Sequence, residues 1–165
     1  METPLQPRLA TVADAAAINA IYNHYVRTST ATFQVEDETT AEREEDLRER
    51  PPSQPVIVLE AEDVVVGWGA LSPFQSRCAY RETAELTAYV RHGSHRQGYG
   101  RLIVQDLLTR ARSLGYHAII AVSCEESAGM IRLLGSLGFV EAGRLRQVGS
   151  KFDRRLDVIY LQLLF

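Results

Sequence analysis

Two parts of this chain carry residue types at spacings suited to chemistry. The first is the run His95-Arg96-Gln97-Gly98-Tyr99-Gly100-Arg101, set between a strand pattern and a helix pattern. Glycines at such a place let the backbone turn tightly and expose several N–H groups where a helix begins, which makes a ready site for an anion. Arg96 and Arg101 add positive charge. The run is not a dinucleotide fingerprint, because the third glycine position holds Ile103 and no early strand precedes it. It also lacks the Gly-Lys-Ser/Thr of a Walker loop. An ordinary glycine-rich connection is the competing reading. The second part is Glu85, placed between apolar neighbours in a strand pattern. Partial burial there raises a carboxyl pKa toward the range of a general base, whereas a solvent-facing glutamate beside Thr87 would do nothing.

The elements that must position these residues follow from periodicity. A short strand is expected over Arg8 to Thr11. It precedes a helix with Ile18, Ile21, Tyr22, Tyr25 and Val26 on one face. Thr11 and Asp14 stand in capping-box spacing and place that helix start near Val12. A charged helix, about Ala41 to Arg50, ends before Pro51-Pro52. Val56 to Ala61 and Val64 to Leu71 read as strands joined by a Glu62-Asp63 hairpin. In a third strand, about Glu82 to Val90, Ala84, Leu86, Ala88 and Val90 point one way and Glu85, Thr87 and Tyr89 the other. A helix follows the basic turn to about Leu114, then a buried strand Ala118 to Val122. A short helix carries Met130, Leu133, Leu134 and Leu137, and last come strands at about Phe139 to Val148 and Leu156 to Leu164. The order β-α-α-β-β-β-α-β-α-β-β predicts an α/β (α+β) fold with a mixed sheet and helices on both faces.

Composition bounds the partners. The chain has 165 residues, 45% apolar and 24% charged, which predicts one domain over 1–165 and excludes disordered or fibrous classes. Its net charge of −3 gives no whole-chain drive toward nucleic acid. The start METPLQPRLA lacks the apolar run of a leader, and no stretch is long enough to span a membrane, so a soluble cytoplasmic protein without membrane contact is expected. Cys78 and Cys124 fit neither a disulfide framework nor a zinc motif. His24, His92 and His117 show no metal-ligand spacing, and no metal is expected. The acids Glu42, Glu44, Glu45, Asp46 and Glu49 read as a solvated helix face, Trp68 as core and Cys124 as a packed thiol, with a pocket lining as its alternative.

The run YVRHGSHRQGYGRLIVQDLL (Tyr89 to Leu108) resembles the acetyl-CoA pyrophosphate loop of the GNAT N-acetyltransferase superfamily, with His95 departing from the usual Gln/Arg at its first position. Ile21 to Phe33, Arg77 to Val90 and Val148 to Gln162 are similar to signatures of its phosphinothricin and methionine sulfoximine acetyltransferase group. The resemblance covers nearly the whole chain. It implies a GNAT fold, with a mostly antiparallel central sheet. It also implies transfer of acetyl from acetyl-CoA to the α-amine of a small amino acid analogue, and a homodimer. Another amine, such as a protein N-terminus or a polyamine, is an alternative, as is an acetyl-CoA-binding regulatory protein.

By the same resemblance, Glu85 is the general base. His95, Arg96, Gln97, Gly98, Tyr99, Gly100 and Arg101 hold the pyrophosphate. A backbone N–H near Tyr89 or Val90, beside a β-bulge, stabilises the oxyanion. Ser127 stands where the group has an Asn that bonds the pantetheine arm, and the residue that often reprotonates the thiolate is replaced by Leu134. Arg77 is implied to bind the acceptor carboxylate, with Phe33, Tyr80 and Val158 around the acceptor. Lys151 and Asp157 match the signature, with a salt-bridged or solvated role and substrate contact both open.

Overall fold

The structure is a computed structural model and describes residues 5–165. The reading of the N-terminus as lacking a leader falls partly on residues 1–4, which lie outside the described residues. Eleven main elements follow the expected order: β1 (Arg8–Leu9), α1 (Ala15–Thr28), α2 (Thr40–Glu49), β2 (Val56–Ala61), β3 (Val64–Pro73), β4 (Thr83–Val90), α3 (Tyr99–Ser113), β5 (Ala118–Cys124), α4 (Ala128–Ser136), β6 (Val140–Lys151) and β7 (Arg154–Leu164).

Local chemistry sets the boundaries. The capping box at Thr11 forms, but it first closes a single 3-10 turn, Val12–Asp14. Asp14 is held there by Arg8 (2.8 and 2.9 Å) and by the Thr11 N–H (2.7 Å), so regular α-helix begins one turn later than expected. The hairpin Glu62-Asp63 forms as read, both residues taking left-handed φ (52° and 61°). Phe152-Asp153 does the same (52° and 57°), and this two-residue turn lets β6 and β7 pair to Lys151↔Arg154, beyond the expected strand ends. The charged sequence around that turn hides the pairing.

The seven strands lie in the order β1-β2-β3-β4-β5-β7-β6. All neighbours are antiparallel except β4 and β5, which α3 connects as a crossover. Apolar residues cover both faces. Ile57, Leu71, Leu86, Ile103 and Leu107 form the cluster under α3 and α4. Ile18, Ile21, Val58 and Trp68 form the one under α1 and α2. Two glycines of β3 let α3 sit directly on the sheet: a Cβ on Gly67 would stand 2.5 Å from Ile103, and one on Gly69 2.8 Å from Leu107.

The acidic helix docks in an unexpected way. Five acids and one leucine give α2 no apolar stripe, and its one buried residue is Arg43. The guanidinium lies 4.9 Å from the Trp68 ring centre and 5.7 Å from that of Tyr22. It pairs with Glu38 (2.7 Å) and donates to Asn19 Oδ1 (3.1 Å). Glu45 and Glu49 are exposed as expected. Glu42, by contrast, closes a capping box on Thr39, and Glu44 and Asp46 pair with Arg48 and Arg50. Removing one partner of a buried ion pair costs about 3–5 kcal/mol. Arg43→Ala is therefore expected to lower urea-unfolding stability by that amount, and Glu45→Ala by less than about 0.5 kcal/mol. Equal effects would reject the buried-cation account.

Candidate active site

The site is where the sheet opens. Strand β4 pairs with β5 only from Thr83↔Ala118 to Glu85↔Ile120, while it stays paired with β3 as far as Gly67↔Val90. Arg91 donates to Val66 on β3, so by alternation Thr87 and Tyr89 also face β3. The backbone groups of Leu86, Ala88 and Val90 consequently point into the gap between β4 and β5. A cleft of about 1010 Å³ occupies that gap.

The β3–β4 register is unbroken, which corrects the expectation of a β-bulge near Tyr89 and Val90. Divergence of two parallel strands, and not an extra residue, frees these groups. Of the two, Val90 alone turns its N–H toward the cleft.

Glu85 lies along the cleft, half-buried, on the face toward α1. No described residue is bonded to its carboxylate, and desolvation raises its pKa above the ordinary glutamate value. Tyr89, also lining the cleft, stacks on Trp68 (5.4 Å between ring centres) and meets Tyr22 edge-on (5.4 Å).

At the other end, the basic turn leads into α3. Arg96 and Gly98 both take left-handed φ (64° and 82°), and Gly98 is the N-cap. Alternating the backbone hand in this way gathers successive N–H groups into an anion-holding concavity. No atom lies within 4 Å of a Cβ built on Gly98, so the turn faces open space. Arg96 makes no ion pair with a described residue, while Arg101 donates to Ser136 Oγ (2.7 Å) on α4.

His95 lines the same cleft, and its Nε2 lies 2.7 Å from the Tyr25 hydroxyl, which also donates to the Val90 carbonyl. Sequence reading gave Tyr25 only a core position, and 70 residues separate it from His95. His92 stacks on His24 (4.5 Å between ring centres) with His95 6.2 Å away, so these histidines do gather although their spacing hides it.

Most expected site residues share this cleft: Phe33, Glu85, Tyr89, Val90, His95, Arg96, Gly98, Tyr99, Gly100, Arg101, Ser127 and Val158. Ser127 occupies the N-cap position of α4 with its hydroxyl making no cap bond. Gln97, Arg77 and Tyr80 are outside the lining. Arg77 is exposed at a 3-10 turn in the loop before β4, and Tyr80 packs on Phe74 (5.6 Å). Cys124 is buried and lines the cleft, and Leu134 is buried against it. Asp157 is salt-bridged to Arg144 (3.2 Å). Lys151 is neither solvated nor salt-bridged: it is buried, with its ammonium on backbone carbonyls.

The sequence family described as acetyltransferase (GNAT) matches residues 18–139. The chain is similar to phosphinothricin N-acetyltransferase of Streptomyces viridochromogenes, at 36% identity over 96% of this chain and 87% of that protein. It is 35% identical to L-methionine sulfoximine/L-methionine sulfone acetyltransferase of Salmonella typhimurium, over 94% and 92% of the two chains. The structure is similar to that of yncA from Salmonella typhimurium, solved with its cofactor acetyl-CoA. There the TM-score is 0.94 at 34% identity, over 98% of this chain and 94% of that one.

Partial desolvation, reinforced by His92, Arg96 and His24, lowers the His95 pKa below the ordinary 6.5. Just below that value the unfolded chain binds a proton that the folded one resists, so this group makes stability fall on acidification. In an NMR titration the His95 ring is expected to titrate below 6.5 and to move up in Arg96→Ala. A value at or above 6.5 in the unsubstituted protein would reject the crowding account.

Proposed function

The chain belongs to the acetyltransferase (GNAT) family, and from that premise we propose that it transfers the acetyl group of acetyl-CoA to the α-amine of a small amino acid analogue of the methionine sulfoximine or phosphinothricin kind. One observation carries the reading. A half-buried, unbonded carboxylate, Glu85, shares a single cleft with the N-terminal turn of α3, and backbone groups of β4 that β5 does not pair lie between them. Relatives whose names specify these acceptors support the substrate class.

The residues present fit the cosubstrate. The turn from His95 to Arg101 meets its diphosphate with backbone N–H groups and Arg96. The opened edge of β4 meets the pantetheine arm, and Ser127 faces the same arm from α4. The bound cosubstrate supplies an activated acyl carbon. Glu85 takes a proton from the acceptor, directly or through one water, so that the amine attacks as a neutral nucleophile. The Val90 N–H is placed to meet charge developing on the thioester oxygen. The C–N bond forms, the C–S bond breaks and the thiolate takes up one proton. Leu134 has none to give, so the second proton, which the acceptor nitrogen sheds on becoming an amide, reaches the sulfur through water or another side chain. The products are the N-acetylated acceptor and coenzyme A.

Phe33 and Val158 wall the acceptor side. Arg77 and Tyr80 stand outside the cleft lining of the single chain, and the resemblance alone assigns them to the acceptor, with Arg77 taking its carboxylate. The same reading treats 1–165 as one acetyltransferase domain, located in the cytoplasm and paired as a homodimer. Two free cysteines accord with a reducing compartment. The exposed edge strand β6, with Val140, Leu145 and Val148, accords with pairing. Among the described residues no helix is long and apolar enough to cross a membrane.

A thiol-release assay with acetyl-CoA and a panel of amino acid analogues, peptides and polyamines tests the reading. Glu85→Gln is expected to lower kcat by about 10²- to 10⁴-fold. Because burial raises the Glu85 pKa, the acid-side fall in kcat/KM should begin above the ordinary glutamate range and disappear in E85Q. Arg77→Ala should raise acceptor KM and leave acetyl-CoA KM unchanged; an unchanged acceptor KM removes Arg77 from the site. Turnover on peptides or polyamines alone would overturn the substrate class. Acetyl-CoA binding without turnover on the whole panel would overturn the enzyme reading in favour of a regulatory binder.

A further inference from the structure

Five consecutive residues after α1, Ser29 to Phe33, all line the cleft, yet they form no helix or strand of their own. Their position is imposed from the C-terminal part of the chain. Lys151, at the end of β6, donates from Nζ to the carbonyls of Ser29 (2.7 Å) and Thr32 (2.8 Å) and lies 3.5 Å from that of Tyr25. Thr30, itself buried, donates to Glu126 (2.9 Å), which Arg154 of β7 holds. Phe33 rests on Gly149 of β6: a Cβ there would stand 2.1 Å from ring atom Cε2 and 2.7 Å from two others.

Two details separate this arrangement from ordinary packing. Gly149 does not have the left-handed backbone that favours glycine, so nothing in its own conformation requires glycine. The space for the Phe33 ring does. Lys151 is 5% exposed with no carboxylate among its bonded partners. Burial lowers its pKa, and the bonds it donates to the three carbonyls offset the cost of burial while capping those of Tyr25 and Ser29 at the end of α1. Meanwhile, none of the cleft-lining residues belongs to β6.

We infer that Gly149 and Lys151 are positioning residues for the acceptor wall, Gly149 setting the acceptor size and Lys151 holding the Ser29–Phe33 segment in place, because β6 fixes that wall from behind. This rests on the proposed function, since it assigns that wall to the acceptor and not to acetyl-CoA. Gly149→Ala pushes the Phe33 ring away from β6 and narrows the acceptor side. Lys151→Met keeps the side-chain length but releases the segment, so its effect should not depend on acceptor size.

The test measures acceptor and acetyl-CoA KM separately, with acceptors graded by side-chain bulk. Gly149→Ala is expected to raise acceptor KM by about tenfold to a hundredfold, most for the bulkiest acceptor, with acetyl-CoA KM unchanged. In a Phe33→Ala background the same substitution should have no further effect, because the ring it strikes is gone. Persistence of the effect in that background, an equal rise in both KM values, or no change overturns the inference. If Gly149→Ala does not fold, Phe33→Ala alone decides: preference must move toward bulkier acceptors, and an unmoved preference overturns the inference. Wild-type protein inactive on every amine would instead sink the proposed function itself, a result distinct from active wild-type protein with unaltered variants.

Discussion

Everything at the site depends on one pairing that stops. Parallel strands β4 and β5 share a ladder only to Glu85↔Ile120, although both continue. Had the ladder run on, the backbone groups of Leu86, Ala88 and Val90 would be consumed by β5, and no cleft would exist. The antiparallel partners make the opening tolerable. β3 holds β4 to Val90 and β7 holds β5 from end to end, so each half of the sheet is anchored on its far side. Helix α3, bedded on Gly67 and Gly69, fixes where its own N-terminus meets the opening.

Charge is handled locally throughout. The net −3 describes the surface average and none of the working regions. Arg96 and the turn around Gly98 collect positive potential at one end, while Glu85 remains unbonded in a desolvated place at the other. Two buried cations have structural tasks. Arg43 anchors an acidic helix on aromatic rings, and Lys151 ends α1 and steadies the segment beyond it. Both would be expensive to bury alone, and both are satisfied by oxygen or by ring faces.

Much of this was legible in the residues, and the parts that were not have physical reasons. Alternation in β4 correctly separated Ala84 and Leu86, which enter the core beneath α3, from Glu85 and Tyr89, which face α1. The glycine turn and the following helix stood where spacing put them. Contacts between distant positions carry no local pattern, so Tyr25 with His95, Gly149 with Phe33 and Lys151 with Ser29 were unreadable. Arg43 was lost among five acids because it reaches the core by stacking, which has no hydropathy signature. The expected bulge failed for another reason: strand divergence frees the same backbone groups without altering the residue count.

The hydrogen bond between Tyr25 and His95 has a definite direction. A phenol has one proton, and the Val90 carbonyl can only accept it. His95 must then be the donor to the phenol oxygen, with its hydrogen on Nε2. The imidazole is left with Nδ1 as its one site for gaining or losing charge. Protonation there reverses neither bond, so the tie between α1 and the α3 turn keeps its polarity whether the ring is neutral or cationic.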